Sequence, residues 1–165
     1  DPLLTYGPQA MADIDAERCT YAVEQVILAI IVTTGIASIL LTAEHIVDYN
    51  SGLAHAVFYA LTAWPHIEAR HLHGEVVGFG VLILLLTDGN LDGFRRMYAF
   101  NRSVGLPTAL SQVEMTDADV EKLVPLVAKM PDIAHNPYTI TEEMLHKAFA
   151  DLDYYNQHQA FKENE

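Results

Sequence analysis

The sequence predicts an all-α fold, a multi-helix bundle of six or so helices, on three observations. Apolar residues run in stretches of helical length. No Asn-Gly or Asp-Gly pair stands between two alternating runs, as a β-hairpin requires. Capping residues, glycines and prolines punctuate the chain at helical intervals. The 165 residues are 51% hydrophobic and 19% charged, which is enough apolar material for one packed domain and argues against disorder.

The elements follow in order. Asp1 to about Ala16 carries Pro2, Gly7 and Pro8 and reads as a loop with room for one short helix. Thr20 to about Leu41 reads as a long apolar helix that Gly35 interrupts or kinks. Ser51 is the expected N-cap of a helix through Ala63, ended by Pro65, which lacks a backbone donor. A polar, His-rich connector leads from Pro65 to His73, and Gly74 to Thr87 forms an apolar third helix. Asp88-Gly89-Asn90 turns the chain into an amphipathic helix, Leu91 to Val104, closed by Gly105 and stopped by Pro107. Thr116 with Asp119 three residues on resembles a capping box for a helix to about Met130, which Pro125 should kink or split. Thr139 with Glu142 repeats the signal before a last helix to about Gln159.

One stretch meets a membrane criterion. Val26 to Ala43 is eighteen residues without a charge, long enough to span a bilayer. Thr33, Thr34, Gly35, Ser38 and Thr42 interrupt it, Glu24 and Glu44 flank it, and no Lys or Arg nearby would set an orientation. The expectation is therefore a buried helix of a soluble bundle, with no membrane partner.

Nine Lys+Arg against 22 Asp+Glu give a formal charge of −13. Such a chain lacks the basic surface that neutralises phosphates, so nucleic acid is excluded as a partner, and anionic membranes would repel it. A single cysteine, Cys19, rules out an internal disulfide and a Cys-rich zinc module, which makes a cytoplasmic setting the expectation. The first residues show no basic n-region and no small-residue cleavage site, so the expectation is that no secretory signal is present here.

The chemistry concentrates in the histidines. Five of the eight, His45, His55, His66, His71 and His73, fall within twenty-nine positions. His55 lies among apolar residues that should turn it inward, and His73 opens the third helix beside Gly74. With Pro65 turning the chain between them, the two helices can pack antiparallel and bring both imidazoles to one point. Neutral imidazole nitrogens suit Zn²⁺ or Fe²⁺, and a catalytic centre needs a third protein ligand and an open position. Other signals are weak. Gly78-Phe79-Gly80 is not a dinucleotide fingerprint and reads as helix-packing glycines. Met115, Met130, Met144, Tyr154 and Tyr155 read as packing residues, and Cys19 beside Glu17 lacks an activating neighbour.

Ser51-Gly-Leu-Ala-His55-Ala-Val-Phe-Tyr59-Ala-Leu-Thr, then His71-Leu-His73-Gly74-Glu75-Val-Val-x-Phe-Gly80, resembles the helical C-terminal domain of the metal-dependent, iron-type alcohol dehydrogenases, in the glycerol dehydrogenase branch. The resemblance continues through Ser103-Val-Gly105-Leu-Pro107-Thr and His135-Asn136-Pro137. It implies a divalent metal, zinc or iron, held by two histidines and one aspartate, and hydride transfer to NAD(P) bound by a separate α/β domain. His55 and His73 match the two histidine ligands. Tyr59, one turn after His55, takes the position where some relatives carry a proton-relaying histidine, so the catalytic candidate here is a phenol instead. The family's aspartate, expected in a Gly-Asp-Ala-like setting, has no match; Asp13, Asp15 and Asp48 are the candidate replacements. The expectation is one helical metal-binding domain over residues 1–165 that holds metal weakly, reaches NAD(P) only through a complementary NAD-binding polypeptide, and self-associates. The alternative is a stand-alone helical oligomerisation or interaction protein.

Overall fold

The computed structural model describes residues 2–41, 51–134 and 136–162, and every regular element among them is helical. Helix α1 (Pro2–Asp15) is followed by α2 (Tyr21–Leu28), a π-helical stretch Ala29–Ile36, and α3 (Ala37–Leu41), which continue one another as a single rod. Then come α4 (Leu53–Leu61), α5 (Pro65–Arg70), α6 (His73–Thr87), α7 (Leu91–Ser103), α8 (Asp117–Val127) and α9 (Glu142–Lys162), with short 3-10 turns at Leu110–Val113 and Pro131–Ile133.

The main core lies between α4, α6, α8 and α9. Leu53, Val57 and Leu61 from α4 meet Val76, Phe79 and Ile83 from α6, Leu123 and Val124 from α8, and Leu145 and Leu152 from α9, all fully or almost fully buried. The closest approach is between α4 and α6. A Cβ added at Gly80 would lie 2.4 Å from the Ala54 carbonyl oxygen, so only glycine lets the two backbones touch. Asn101 ties α7 to this layer: its buried Nδ2 donates to the carbonyls of Gly78 and Pro107 at 3.1 and 3.2 Å.

Several boundaries expected from sequence hold. Gly89 and Gly105 take positive φ, 69° and 75°, at the turn after α6 and the end of α7. Thr116 N–H and Oγ1 both donate to the Asp119 carboxylate at the start of α8. Four expectations are corrected. The N-terminal segment is a fourteen-residue helix with Pro8 inside it, not a loop. Tertiary packing overrides the proline: Gly7 is buried so close to Phe100 of α7 that a Cβ there would sit 2.8 Å from the ring. Pro65 does not merely end a helix; it starts α5 at the first-turn position where its missing N–H is not needed, so the expected connector is helical. The cap of α9 is Thr141, whose Oγ1 accepts from Met144 N–H, rather than Thr139. Tyr154 is 63% exposed and stacks on His158, whereas Tyr155 packs edge-on against Phe94 and Tyr98 as expected.

The apolar rod departs most from expectation. Ala22, Val23 and Ala29 are buried, α2 packing on α1, but Ile27, Leu28, Ile30, Ile31, Val32, Ile36, Ile39 and Leu40 are each about half exposed or more. Tyr21–Leu40 is long and apolar enough to cross a membrane, with a mean hydropathy of 2.0 and only 11% of its most apolar window buried. Gly35, the expected interruption, lies inside the π-helical stretch. Composition alone predicts a core position, because apolar runs need cover; among the described residues the cover is α1 at one end.

Candidate metal centre

His55 stands on the first turn of α4 and His73 is the first residue of α6. Ala54 packs on Gly80 and Phe58 on His73, so the helices run in opposite directions and the two histidines come together. Their ring centres are 5.5 Å apart. Two imidazoles bound to one tetrahedral ion through nitrogens about 2.0–2.1 Å away have ring centres about 5 Å apart, so this spacing fits a shared ion. Phe58 meets the His73 ring edge-on at 4.4 Å, limiting its rotation. At the start of α6, the Glu75 carboxylate accepts from Leu72 N–H at 3.0 Å, which fixes the backbone from which His73 projects.

The environment keeps His55 in the ligand form. Burial pushes its pKa below the ordinary histidine range, and His73 pushes it the same way, while Asp132 pulls it partly back. A neutral imidazole offers a lone pair to a cation. His73 is exposed, so the pair opens to solvent on one side. Tyr59 is 42% exposed, with its ring 6.4 Å from that of His55, at the rim of the same site.

The other candidates do not join this pair. His66 acts on Asp119 of α8, and His71 lies 3.8 Å from both Glu75 and Glu114. Asp13 is 3% exposed and fully engaged: Gln9, Arg18 and Thr20 all donate to its carboxylate, which fastens α1 to the start of α2. Asp15 is exposed. His45, Asp48 and His135 lie outside the described residues. Among the described residues, no three His, Cys, Asp or Glu side chains stand close enough to hold one ion. One acid whose charge reaches His55, Asp132, was not singled out from sequence. It is 8% exposed, on the Pro131–Ile133 turn that packs against α4. Nothing in its local pattern points to His55, seventy-seven positions earlier in the chain.

The same arrangement of helices occurs in a solved protein. A probable glycerol dehydrogenase from Sinorhizobium meliloti 1021 superposes with a TM-score of 0.74 at 28% identity, over 95% of this chain and 43% of that one. In sequence, the glycerol dehydrogenase of Pseudomonas putida is 32% identical over 168 residues, covering 96% of this chain and 42% of its own length. The chain is a glycerol-dehydrogenase-like helical domain. The glycerol dehydrogenase of Thermotoga maritima agrees, at 28% identity over 95% of the chain, as does hydroxycarboxylate dehydrogenase A of Escherichia coli K12, at 28% over 93%. The chain spans less than half the length of these glycerol dehydrogenases, in their C-terminal part. No protein-family model matches it.

Proposed function

We propose that this glycerol-dehydrogenase-like chain is the metal-binding helical domain of an NAD(P)-dependent alcohol or polyol oxidoreductase, inactive alone and completed by an NAD-binding polypeptide. The observation that carries the reading is the pair His55 and His73, 5.5 Å apart and held there by the contact of α4 with α6. A zinc or iron ion between them, when bound, would supply Lewis-acid polarisation of a substrate hydroxyl. The chain's own residues do the rest. Burial keeps His55 neutral, Phe58 restrains His73, and the exposed side of the pair leaves room for an alcohol. Tyr59, with its ring 6.4 Å from that of His55, would be the side chain to hydrogen-bond that hydroxyl. A cytoplasmic setting suits the lone, exposed Cys19.

The test is complementation. With zinc, glycerol and NAD, the chain mixed with a complementary NAD-binding polypeptide should oxidise glycerol, and the His55→Ala, His73→Ala double variant should not. Tight docking of the two polypeptides without any turnover removes the enzymatic half of the reading.

A second reading is supported by the exposed rod. Its eight exposed aliphatic side chains present roughly 800 Å², about what one partner contributes to a standard stable interface. On this reading the chain is a helical oligomerisation module whose rod packs on the rod of a second copy. Light scattering showing a dispersed monomer at micromolar concentration would remove it; partition into vesicles of neutral phospholipid instead would place the rod in a bilayer.

A further inference from the structure

Two apolar surfaces of this chain lack cover, and they match one another. The first is a groove of about 510 Å³, lined by Leu3, Met11 and Ile14 of α1, Met97 and Phe100 of α7, and Val26 of α2. Leu3, Gly7, Met11 and Ile14 follow one another at turn spacing, so the groove runs along one face of α1 for about 16 Å. Leu3, Met11 and Ile14 are each about half exposed there. An apolar channel between helices is the shape that accepts a further helix. The second surface is the far part of the rod. Ala22 and Val23 hold its first turns on α1, but beyond Ala29 no described helix lies along it. From Ile30 to Leu40, about 15 Å, six of the eleven residues are exposed aliphatics. One chain does not bring the two surfaces together. Val26 already lines the groove, and the helix runs on from it through Ala29–Ile36 to Leu41 without a break, standing clear of the groove it borders.

We propose that the rod of one copy seats in the α1–α7 groove of a second copy, whose own rod seats in the groove of the first. This rests on the second reading above, that a second copy covers the rod, and names the seat: the groove, not the partner's rod. Reciprocal exchange closes the pair by two-fold symmetry and leaves neither surface open. The area suffices. With half of the rod's roughly 800 Å² and an equal area of groove buried at each of the two contacts, about 1,600 Å² leaves water, the size of a standard stable interface. The charge fits as well. Each copy carries −13, so two copies can meet closely only where acids are absent, and neither Ile27 to Leu40 nor the groove lining holds a charged residue. A bilayer suits the rod less well. Its exposed part is about half the roughly 30 Å of a hydrocarbon core, and spanning with all of Tyr21–Leu40 would strip α2 from α1 and carry Glu24 into lipid.

The test is the mass and cross-linking of the whole chain. Light scattering at micromolar concentration should give twice the 18.3 kDa of one chain. Met11→Glu sets a carboxylate in the groove at a side chain that is 48% exposed in the single chain, so the helical circular dichroism should stay that of wild type. The dimer dissociation constant should rise about 100-fold or more, because the seated rod offers that charge no partner. Cross-linking locates the seat without relying on that variant. In a Cys19→Ser background, Met11→Cys chains mixed with Ile39→Cys chains should be joined by a short bismaleimide, and Ile39→Cys chains alone should not. Joining of Ile39→Cys chains to one another but not to Met11→Cys chains, in a dimer that Met11→Glu leaves intact, overturns the groove as the seat and leaves the second reading standing. A wild-type monomer that also stays out of phosphatidylcholine vesicles overturns both. Partition of the wild-type chain into those vesicles overturns both as well and puts the rod in lipid.

Discussion

Gly80→Ala should loosen the whole site through one methyl group. The added Cβ would lie 2.4 Å from the Ala54 carbonyl oxygen and 3.0 Å from the Ala54 Cα and carbonyl carbon, all backbone atoms that cannot rotate away. To reach even 3.0 Å from the oxygen, α4 and α6 must part by at least 0.6 Å. Over-packing of this kind costs about 1–3 kcal/mol, and a rigid backbone neighbour puts it at the upper end. Alanine recovers about 1 kcal/mol of helix propensity, leaving a net loss of about 2 kcal/mol, or about 4–8 °C in Tm for a chain of this size. Gly78→Ala, two residues away on the same helix, is the control. Its Cβ would meet only the Leu106 side chain, at 3.5 Å, an ordinary contact. That variant should keep its stability or gain up to about 1 kcal/mol. Urea and thermal unfolding followed by circular dichroism at 222 nm would compare the two. Because Ala54 adjoins His55, Gly80→Ala should also weaken zinc binding, while Gly78→Ala should not. Equal stability and equal zinc affinity for the two variants would refute the claim that this contact sets the separation of His55 and His73.

Three further outcomes are expected. Tyr138 donates to the Asp88 carboxylate, and burial first, then that acid, push its pKa up to about 12. The favoured neutral phenol contributes stability that is fully present below the unfolded tyrosine value, about 10, and lost as pH rises toward 12; absorbance near 295 nm should show one late-titrating tyrosine that disappears in Tyr138→Phe. Asn101→Ala removes two buried hydrogen bonds, to Gly78 and Pro107, and should cost about 2 kcal/mol in urea unfolding. Hydrogen bonds from Thr20 and Arg18 hold the Asp13 carboxyl below the ordinary carboxylate range. Its contribution is therefore present above the unfolded aspartate value and is lost as pH falls through the lower folded one. Unfolding at a series of acidic pH values should show this loss in wild type and not in Asp13→Asn.

Punctuation by single residues was legible in the sequence. Gly89 and Gly105 are needed where φ turns positive, and Thr116 with Asp119 closes a capping box, because these depend on neighbours a few positions away. The approach of His55 to His73 was legible as well, since a turn at Pro65 between two apolar helices brings them back on one another. Tertiary packing was not legible. Pro8 suggested a loop, but contact of α1 with Phe100 keeps the helix going. Pro65 reads the same as a helix stop or a helix start, and only the trajectory of the chain distinguishes them. The apolar rod from Tyr21 looks like core by composition, yet burial depends on what lies alongside.

The central claim is that His55 and His73 form one metal centre. Crystals of the whole chain grown with zinc, measured on both sides of the zinc absorption edge, would test it most directly. The account predicts one anomalous peak between the two imidazoles, bonded to a nitrogen of each. Zinc found only elsewhere on the acidic surface, with no peak between His55 and His73, would contradict it.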